Sequence, residues 1–201
     1  MKPLLLSALL AFAAIPAGAR EAPLPSDSVY QLQATLVDQD ARKTEWRALR
    51  GKPRLVAMFY TSCQYICPLI VDSGKAVERQ LAPAERARIG IVLVSMDPAR
   101  DSPKALQAVV DKRKLDGGRW TLLTPQADDV RGIAAVLGVR YRQLADGEFN
   151  HSSALVLLDA DGRVVFGCTV DLEDLESGEK VTYQIVGDDE ADIKTRKISV
   201  S

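Results

Sequence analysis

Histidine, cysteine and clusters of like charge are all scarce in this sequence of 201 residues. Three Cys make a poor disulfide framework, because small secreted domains that depend on disulfides usually carry more of them. The 26 basic and 27 acidic residues are interspersed, with no basic block, which argues against nucleic acid as a partner. Hydrophobic residues make up 47% of the chain, which is enough for a globular domain with a sizeable core.

The first nineteen residues are apolar and carry a single charge, Lys2. Residues 4–14 are almost wholly apolar, and Ala17-Gly18-Ala19 offers small residues where a signal peptidase cleaves. We therefore predict a signal peptide over residues 1–19 and an exported protein, either periplasmic or tethered to the outer face of the inner membrane. An uncleaved membrane anchor is the alternative, because the apolar run over residues 3–19 approaches spanning length.

Strand and helix patterns alternate after a polar linker at residues 20–28. Short apolar runs at residues 54–60 and 89–94 predict buried strands, and apolar spacings of four and seven predict a helix between them. The other predicted elements are a strand at 31–37, a helix opening at Ser102-Pro103, a strand at 120–123, a helix capped by Asp128 or Asp129 and ended by Gly138, and a closing hairpin of 154–158 with 163–170. This order predicts an α/β, thioredoxin-like fold with a mixed sheet and a closing β-hairpin.

Two cysteines four residues apart, Cys63 and Cys67, lie where a predicted buried strand leads into a helix. The N–H groups and the dipole at a helix N-terminus favour thiolate over thiol, which suits both metal binding and redox chemistry. A soft dithiolate pair selects Cu(I), or zinc where further ligands are supplied. A redox-active disulfide between the two cysteines remains the alternative, because close Cys pairs form disulfides more often than copper sites.

The single histidine, His151, is the candidate third metal ligand. It precedes the predicted closing hairpin, and in a thioredoxin-like sheet that loop lies near the turn that carries the cysteines. Two sulfurs and one imidazole suit a copper ion, whereas a structural zinc site would normally have a fourth protein ligand. The alternative is a surface or satisfied core histidine with no metal.

Asp97 follows a buried strand and is predicted to lie beside this site, where it would tune the cysteines or orient His151. The alternative is an Asp that only starts a turn before Pro98. Arg100 and Asp101 are interpreted as a turn and capping pair. No catalytic residue is assigned.

Several short motifs within residues 29–163 together resemble those of one protein family. They are Phe59-Tyr60-Thr61 before Cys63-x-x-x-Cys67-Pro68, the run over residues 95–103, Leu137-Gly138-Val139 with Tyr141, and His151 before an apolar strand that ends in Asp159. Together they resemble the Sco family of copper proteins. The resemblance implies a thioredoxin-like fold and a copper ion held by Cys63, Cys67 and His151. It also implies a metallochaperone that assists assembly of the copper centre of cytochrome c oxidase, with a copper-receiving oxidase subunit and a thiol reductant protein as partners.

The tail, residues 164–201, resembles a different family. The runs over residues 183–192 and 198–201 resemble part of the C-terminal domain of the Gre transcription elongation factors. The match is incomplete, and the coiled-coil hairpin whose acidic tip supports transcript cleavage in that family is absent, so we infer no Gre activity. We therefore expect a copper-binding domain over residues 29–166 and a foreign, loosely packed tail over residues 167–201, in which Cys168 is a buried small residue rather than a ligand.

Overall fold

A computed structural model describes residues 22–63, 66–152, 154–165, 169–173, 180–186 and 192–199. The predicted signal peptide and Cys168 lie outside these ranges. For Ile66 and Cys67 the structure describes the backbone but not the side chain. Among the described residues, no helix has the length and apolar character needed to cross a bilayer.

Four helices and eleven strands are named here in chain order. The helices are α1 (Ile66–Gln80), α2 (Pro83–Arg88), α3 (Pro103–Arg113) and α4 (Val130–Val136). The strands are β1 (Thr35–Asp38), β2 (Lys43–Glu45), β3 (Arg54–Phe59), β4 (Gly90–Ser95), β5 (Trp120–Pro125), β6 (Tyr141–Gln143), β7 (Phe149–His151), β8 (Val156–Leu158), β9 (Thr169–Glu173), β10 (Lys180–Val186) and β11 (Lys197–Ser199).

Six of the strands form the main sheet, in the order β2-β1-β5-β4-β3-β8. The central strands β3, β4 and β5 are parallel, whereas β1 and β8 run antiparallel to the central strands that they flank. Each central strand is buried along nearly its whole length, as expected for parallel strands with both faces covered. The α/β class and the mixed sheet are therefore confirmed.

The start of α3 follows the predicted capping pattern. The Ser102 hydroxyl accepts the backbone N–H of Ala105 at 3.3 Å, and Pro103 is the first residue of the helix. The predicted cap of α4 differs, because the Asp129 carboxylate makes no capping hydrogen bond to its own helix. It accepts instead the backbone N–H of Thr35 at 3.0 Å, and so links the start of α4 to β1.

The predicted strand at residues 31–37 is shorter than expected. Val29–Gln31 forms a 3-10 helix that is capped by the Ser28 hydroxyl, and β1 begins only at Thr35. This 3-10 helix is tied to the far end of the domain, since the backbone N–H of Val29 donates to the Gly162 carbonyl at 2.9 Å. The ring of Tyr30 is buried between that turn and Trp46, whose ring centroid lies 5.9 Å away.

The closing hairpin is present, but its second arm is short. After the turn that ends at Gly162, Leu158 pairs with Val164, and the N–H of Val165 donates to the Leu157 carbonyl at 2.8 Å. The predicted arm over residues 163–170 does not continue as one strand, because Thr169–Glu173 pairs antiparallel with β10 in a separate three-stranded sheet of order β11-β10-β9.

We expect the amide protons of β10 to exchange with solvent faster than those of β4. Both strands have a neighbour on each side, but β4 is fully buried within the six-stranded sheet, whereas β10 belongs to a sheet of three strands. Hydrogen exchange followed by mass spectrometry measures both strands in one sample. Equal protection of β10 and β4 would contradict the predicted loose packing of the tail.

Candidate functional site

Both cysteines lie where β3 leads into α1, at the carboxyl end of a central parallel strand. Cys63 is half-buried in the turn after β3, and its backbone N–H donates to the Tyr60 carbonyl at 3.3 Å. Cys67 is in the first turn of α1, and its side chain lies outside the described residues. The helix N-terminus that follows Cys63 favours a negative charge nearby, which is the condition for a reactive or metal-binding thiolate.

A small pocket of about 120 Å³ contains Cys63 among its lining residues. Lys112 and Arg113 line the same pocket. Arg113 also fixes the start of α1, because its guanidinium donates to the Pro68 carbonyl at 3.3 Å and forms an ion pair with Asp72. Two cationic side chains beside a thiol add to the preference for thiolate.

A buried carboxylate, Asp101, anchors the segment that leads to Cys63. One of its oxygens lies 3.1 Å from the backbone nitrogen of Thr61 and accepts the Thr61 hydroxyl at 2.5 Å, and the other accepts the Ser95 hydroxyl at 2.6 Å. Burial raises the pKa of Asp101, against the opposing effect of these hydrogen bonds. The interpretation of Asp101 as part of a capping pair is therefore wrong, since Ser102 caps α3 and Asp101 holds the cysteine segment. The Sco-like run over residues 95–103 was the only sequence signal that pointed to it.

His151 lies on a short ribbon that the sequence analysis did not predict. Strands β6 and β7 pair antiparallel, with Tyr141 opposite His151, where a loop was expected. The Nδ1 atom of the half-buried His151 ring lies 3.0 Å from the Ser152 carbonyl oxygen. A carbonyl can only accept, so Nδ1 carries the proton in this contact and Nε2 is the nitrogen left for a metal.

Tyr60, the residue that follows β3, lies against both the cysteine turn and the histidine ribbon. Its ring packs edge-to-face on His151 at 5.9 Å and on Phe149 at 5.2 Å between centroids. Its hydroxyl donates to the Glu148 carboxylate at 3.1 Å and also interacts with Cys63. Burial raises the pKa of Tyr60, so the phenol stays protonated and remains a donor. The structure therefore gathers two of the three predicted ligands, Cys63 and His151, around one side chain.

Asp97 is buried in the turn after β4, close in sequence to Asp101. Its carboxylate forms an ion pair with Arg100, and its backbone carbonyl accepts the N–H groups of Arg100 and Asp101 at 3.1 and 2.9 Å. The residue therefore starts a turn, as one of the two interpretations had it. Its predicted influence on the cysteines and His151 stays a prediction.

Within the ranges that the structure describes, no group of three or more His, Cys, Asp or Glu side chains is placed to hold a metal ion. The second predicted sulfur ligand, on Cys67, is not among the described side chains. The donor atoms whose surroundings are described are thus the Cys63 sulfur and the His151 imidazole.

The profile of the SCO1/SenC family matches residues 25–185 of this chain. The chain belongs to the SCO1/SenC family. The matched region extends beyond residue 163, where the Sco motifs read from the sequence stop, and reaches into β10. Family membership confirms the Sco resemblance.

Solved Sco structures share the fold of this chain. ScoI of Bradyrhizobium japonicum, crystallised with copper bound, superposes with a TM-score of 0.59 and 24% identity over 67% of this chain and 85% of ScoI. BsSco, described as a member of the Sco family of cytochrome c oxidase assembly proteins with a disulfide switch, superposes with a TM-score of 0.57 and 22% identity over 76% of this chain and 81% of BsSco. At these identities the structures confirm the thioredoxin-like fold.

A short segment of the Sco-family chain is similar to a second kind of protein. The transcription elongation factor GreA of Ralstonia nicotianae is 75% identical over 44 residues, which are 22% of this chain and 28% of GreA. The chain thus spans little more than a quarter of that relative's length. The Gre resemblance is confirmed for a segment of this size.

Proposed function

We propose that this chain is a metallochaperone that binds one copper ion through Cys63, Cys67 and His151 and delivers it for assembly of the copper centre of cytochrome c oxidase. The observation that carries the proposal is the position of Tyr60, against both Cys63 and His151. Thiolate and imidazole donors suit copper, whereas a structural zinc site would normally have a fourth protein ligand beyond Cys63, Cys67 and His151. ScoI with copper bound, a protein of the same fold, adds support.

Each described residue has a defined part in this proposal. The contact between the His151 ring and the Ser152 carbonyl selects the tautomer in which Nε2 is the ligand atom. Cys63 precedes the N-terminus of α1 and shares a pocket with Lys112 and Arg113, surroundings that suit a thiolate ligand. The partners would be a copper-receiving oxidase subunit and a thiol reductant protein that keeps the cysteine pair reduced before loading.

Copper titration of the reduced protein tests the proposal. We expect one tight copper site, which Cys63→Ser abolishes. His151→Ala should weaken copper binding by more than roughly 10–100-fold, which is the usual loss when a group that only supports a metal ligand is removed. Cys168→Ser is the matched control, because it removes a thiol that is not a proposed ligand, and it should leave the affinity unchanged. Full copper affinity in His151→Ala would rule out the three-ligand site.

A thiol–disulfide reductase is the second candidate function. Here the Cys63–Cys67 dithiol would be oxidised to a disulfide while a substrate disulfide is reduced to two thiols. The position of Cys63 before a helix N-terminus favours it, and so does the disulfide switch identified in BsSco. His151→Ala distinguishes the two functions. It should weaken copper binding but leave the turnover of a disulfide substrate by the metal-free protein unchanged.

We infer that the protein is exported, with residues 1–19 as its signal peptide or as a membrane tether through residues 3–19. The apolar run and the small residues at 17–19 support this, and the mass of the chain purified from the periplasm would distinguish cleavage from anchoring. We also infer that the copper-binding domain covers residues 29–166 and that residues 167–201 are a separate, Gre-like tail with no part in copper binding.

A further inference from the structure

Arg100 connects the turn after β4 to the turn that precedes β7. Its guanidinium donates to the Gly147 carbonyl at 2.6 Å and to the Glu148 carboxylate at 3.3 Å, and it forms an ion pair with Asp97. Asp97 lies in the turn after β4, whereas Gly147 and Glu148 directly precede β7. The planar guanidinium of Arg100 thus joins the central sheet to the β6–β7 ribbon, which carries His151.

Glu148 extends this connection to the cysteine segment. One of its carboxylate oxygens pairs with Arg100 and the other accepts the Tyr60 hydroxyl, and Tyr60 interacts with Cys63. The turn itself is closed by the N–H of Leu144, which donates to the Glu148 carbonyl at 2.7 Å. The turn between β6 and β7 is therefore held by two side chains: Arg100, which follows β4, and Tyr60, which follows β3.

The ribbon needs such contacts from outside. Strands β6 and β7 have three residues each, and an isolated two-stranded hairpin is marginal in water even when it is longer. His151 is the last residue of β7, so its distance from Cys63 depends on where the ribbon is held.

We propose that Arg100 is a positioning residue of the copper site: it fixes the β6–β7 ribbon against the central sheet and so sets the distance between His151 and Cys63. This inference rests on the proposed function. The side chain of Arg100 is 40% exposed but that of Asp97 is only 5% exposed, so loss of Arg100 also leaves a buried carboxylate without its partner and lowers stability. The positioning role is therefore tested by copper affinity in a cycle with His151, which a general loss of stability does not reproduce.

The test is a double-mutant cycle read out as copper affinity of the reduced full chain. Arg100→Gln alone should weaken binding by roughly 10–100-fold, the usual loss when a group that orients a metal ligand is removed. In the His151→Ala background the same change should have no further effect, because there is no imidazole left to position. Arg163→Gln is the control, since Arg163 also pairs with a distant carboxylate, Asp27 at 3.0 Å, away from the ribbon.

The outcomes separate the inference from the function on which it rests. If His151→Ala leaves copper affinity intact, the proposed site fails and the role of Arg100 fails with it. If His151→Ala weakens binding but Arg100→Gln is neutral, or lowers affinity equally in both backgrounds, only the positioning role is overturned. Should Arg100→Gln unfold the protein, as circular dichroism would reveal, Glu148→Gln breaks the same ion pair and must reproduce the cycle for the inference to stand.

Discussion

Replacing Asp101 by Ala is expected to lower the free energy of unfolding by about 2–3 kcal/mol. The substitution leaves three donors without an acceptor, namely the N–H and hydroxyl of the half-buried Thr61 and the hydroxyl of the buried Ser95, and an unsatisfied donor costs roughly 1–3 kcal/mol where it is buried. Relief from burying a carboxylate offsets part of that loss. Urea denaturation of the reduced, copper-free protein, followed by tryptophan fluorescence, measures the change. An Asp101→Ala protein as stable as the parent would show that the cysteine segment is held by other contacts.

The pH dependence of stability gives Asp101 a second signature. Because burial raises the pKa of this carboxyl above its ordinary value, its contribution to stability is complete below about pH 4 and is lost as pH rises through the raised pKa. Asp101→Asn, which cannot titrate, removes this dependence. Relative to the Asn variant, the parent protein should therefore lose stability between pH 4 and neutral pH. A constant difference over that range would contradict the raised pKa.

Replacing Gly162 by Ala is expected to destabilise the protein by about 2–5 kcal/mol. Gly162 has φ +82°, a left-handed conformation that costs a residue with a Cβ roughly 1–2 kcal/mol. A Cβ there would also lie 2.4 Å from the ring of the buried Tyr30, and overpacking of this kind costs typically 1–3 kcal/mol. Thermal or urea unfolding of the variant provides the measurement.

Gly138→Ala is the matched control for that substitution. Gly138 also has a left-handed φ of +68°, but a Cβ there would meet nothing within 4 Å. The Gly138→Ala substitution therefore has only the cost of a left-handed backbone and should lower the free energy of unfolding by roughly 1–2 kcal/mol. Equal effects of the two substitutions would mean that the turn moves away from Tyr30 without loss, and that this contact does not tie the N-terminal 3-10 helix to the hairpin.

The central part of the fold could be predicted from the sequence because its signals are local and strong. The apolar runs of β3 and β4, the four-residue spacing along α1 and the Ser102-Pro103 start of α3 each specify one structure. The apolar run before Cys63 and the helical spacing after it correctly predict that this residue lies between a buried strand and a helix. His151 was predicted to lie near that turn because it is the single histidine and because of the expected topology, and the family resemblance implied the same three ligands.

The remaining features depend on contacts that no local pattern encodes. Strands of three residues, such as β6 and β7, are too short for a period of two to be recognised. Asp129 has the composition of a helix cap, but the amide of Thr35 is a partner from far along the chain. Asp101 and Arg100 belong to a motif that the sequence shows, but their contacts come from folding. Asp101 accepts hydrogen bonds from Thr61. Arg100 donates to Gly147 and Glu148.

The distance along the chain between Cys63 and His151 has a consequence for the proposed copper site. The intervening residues supply β4 and β5 of the main sheet, so the position of the imidazole relative to the sulfur is fixed only when that sheet is assembled. An unfolded polypeptide carries the same donors without a fixed arrangement, and would therefore hold copper less tightly than the proposed site. If the proposed ligands hold copper, tight retention of the ion therefore requires the folded domain, and metal binding would follow folding.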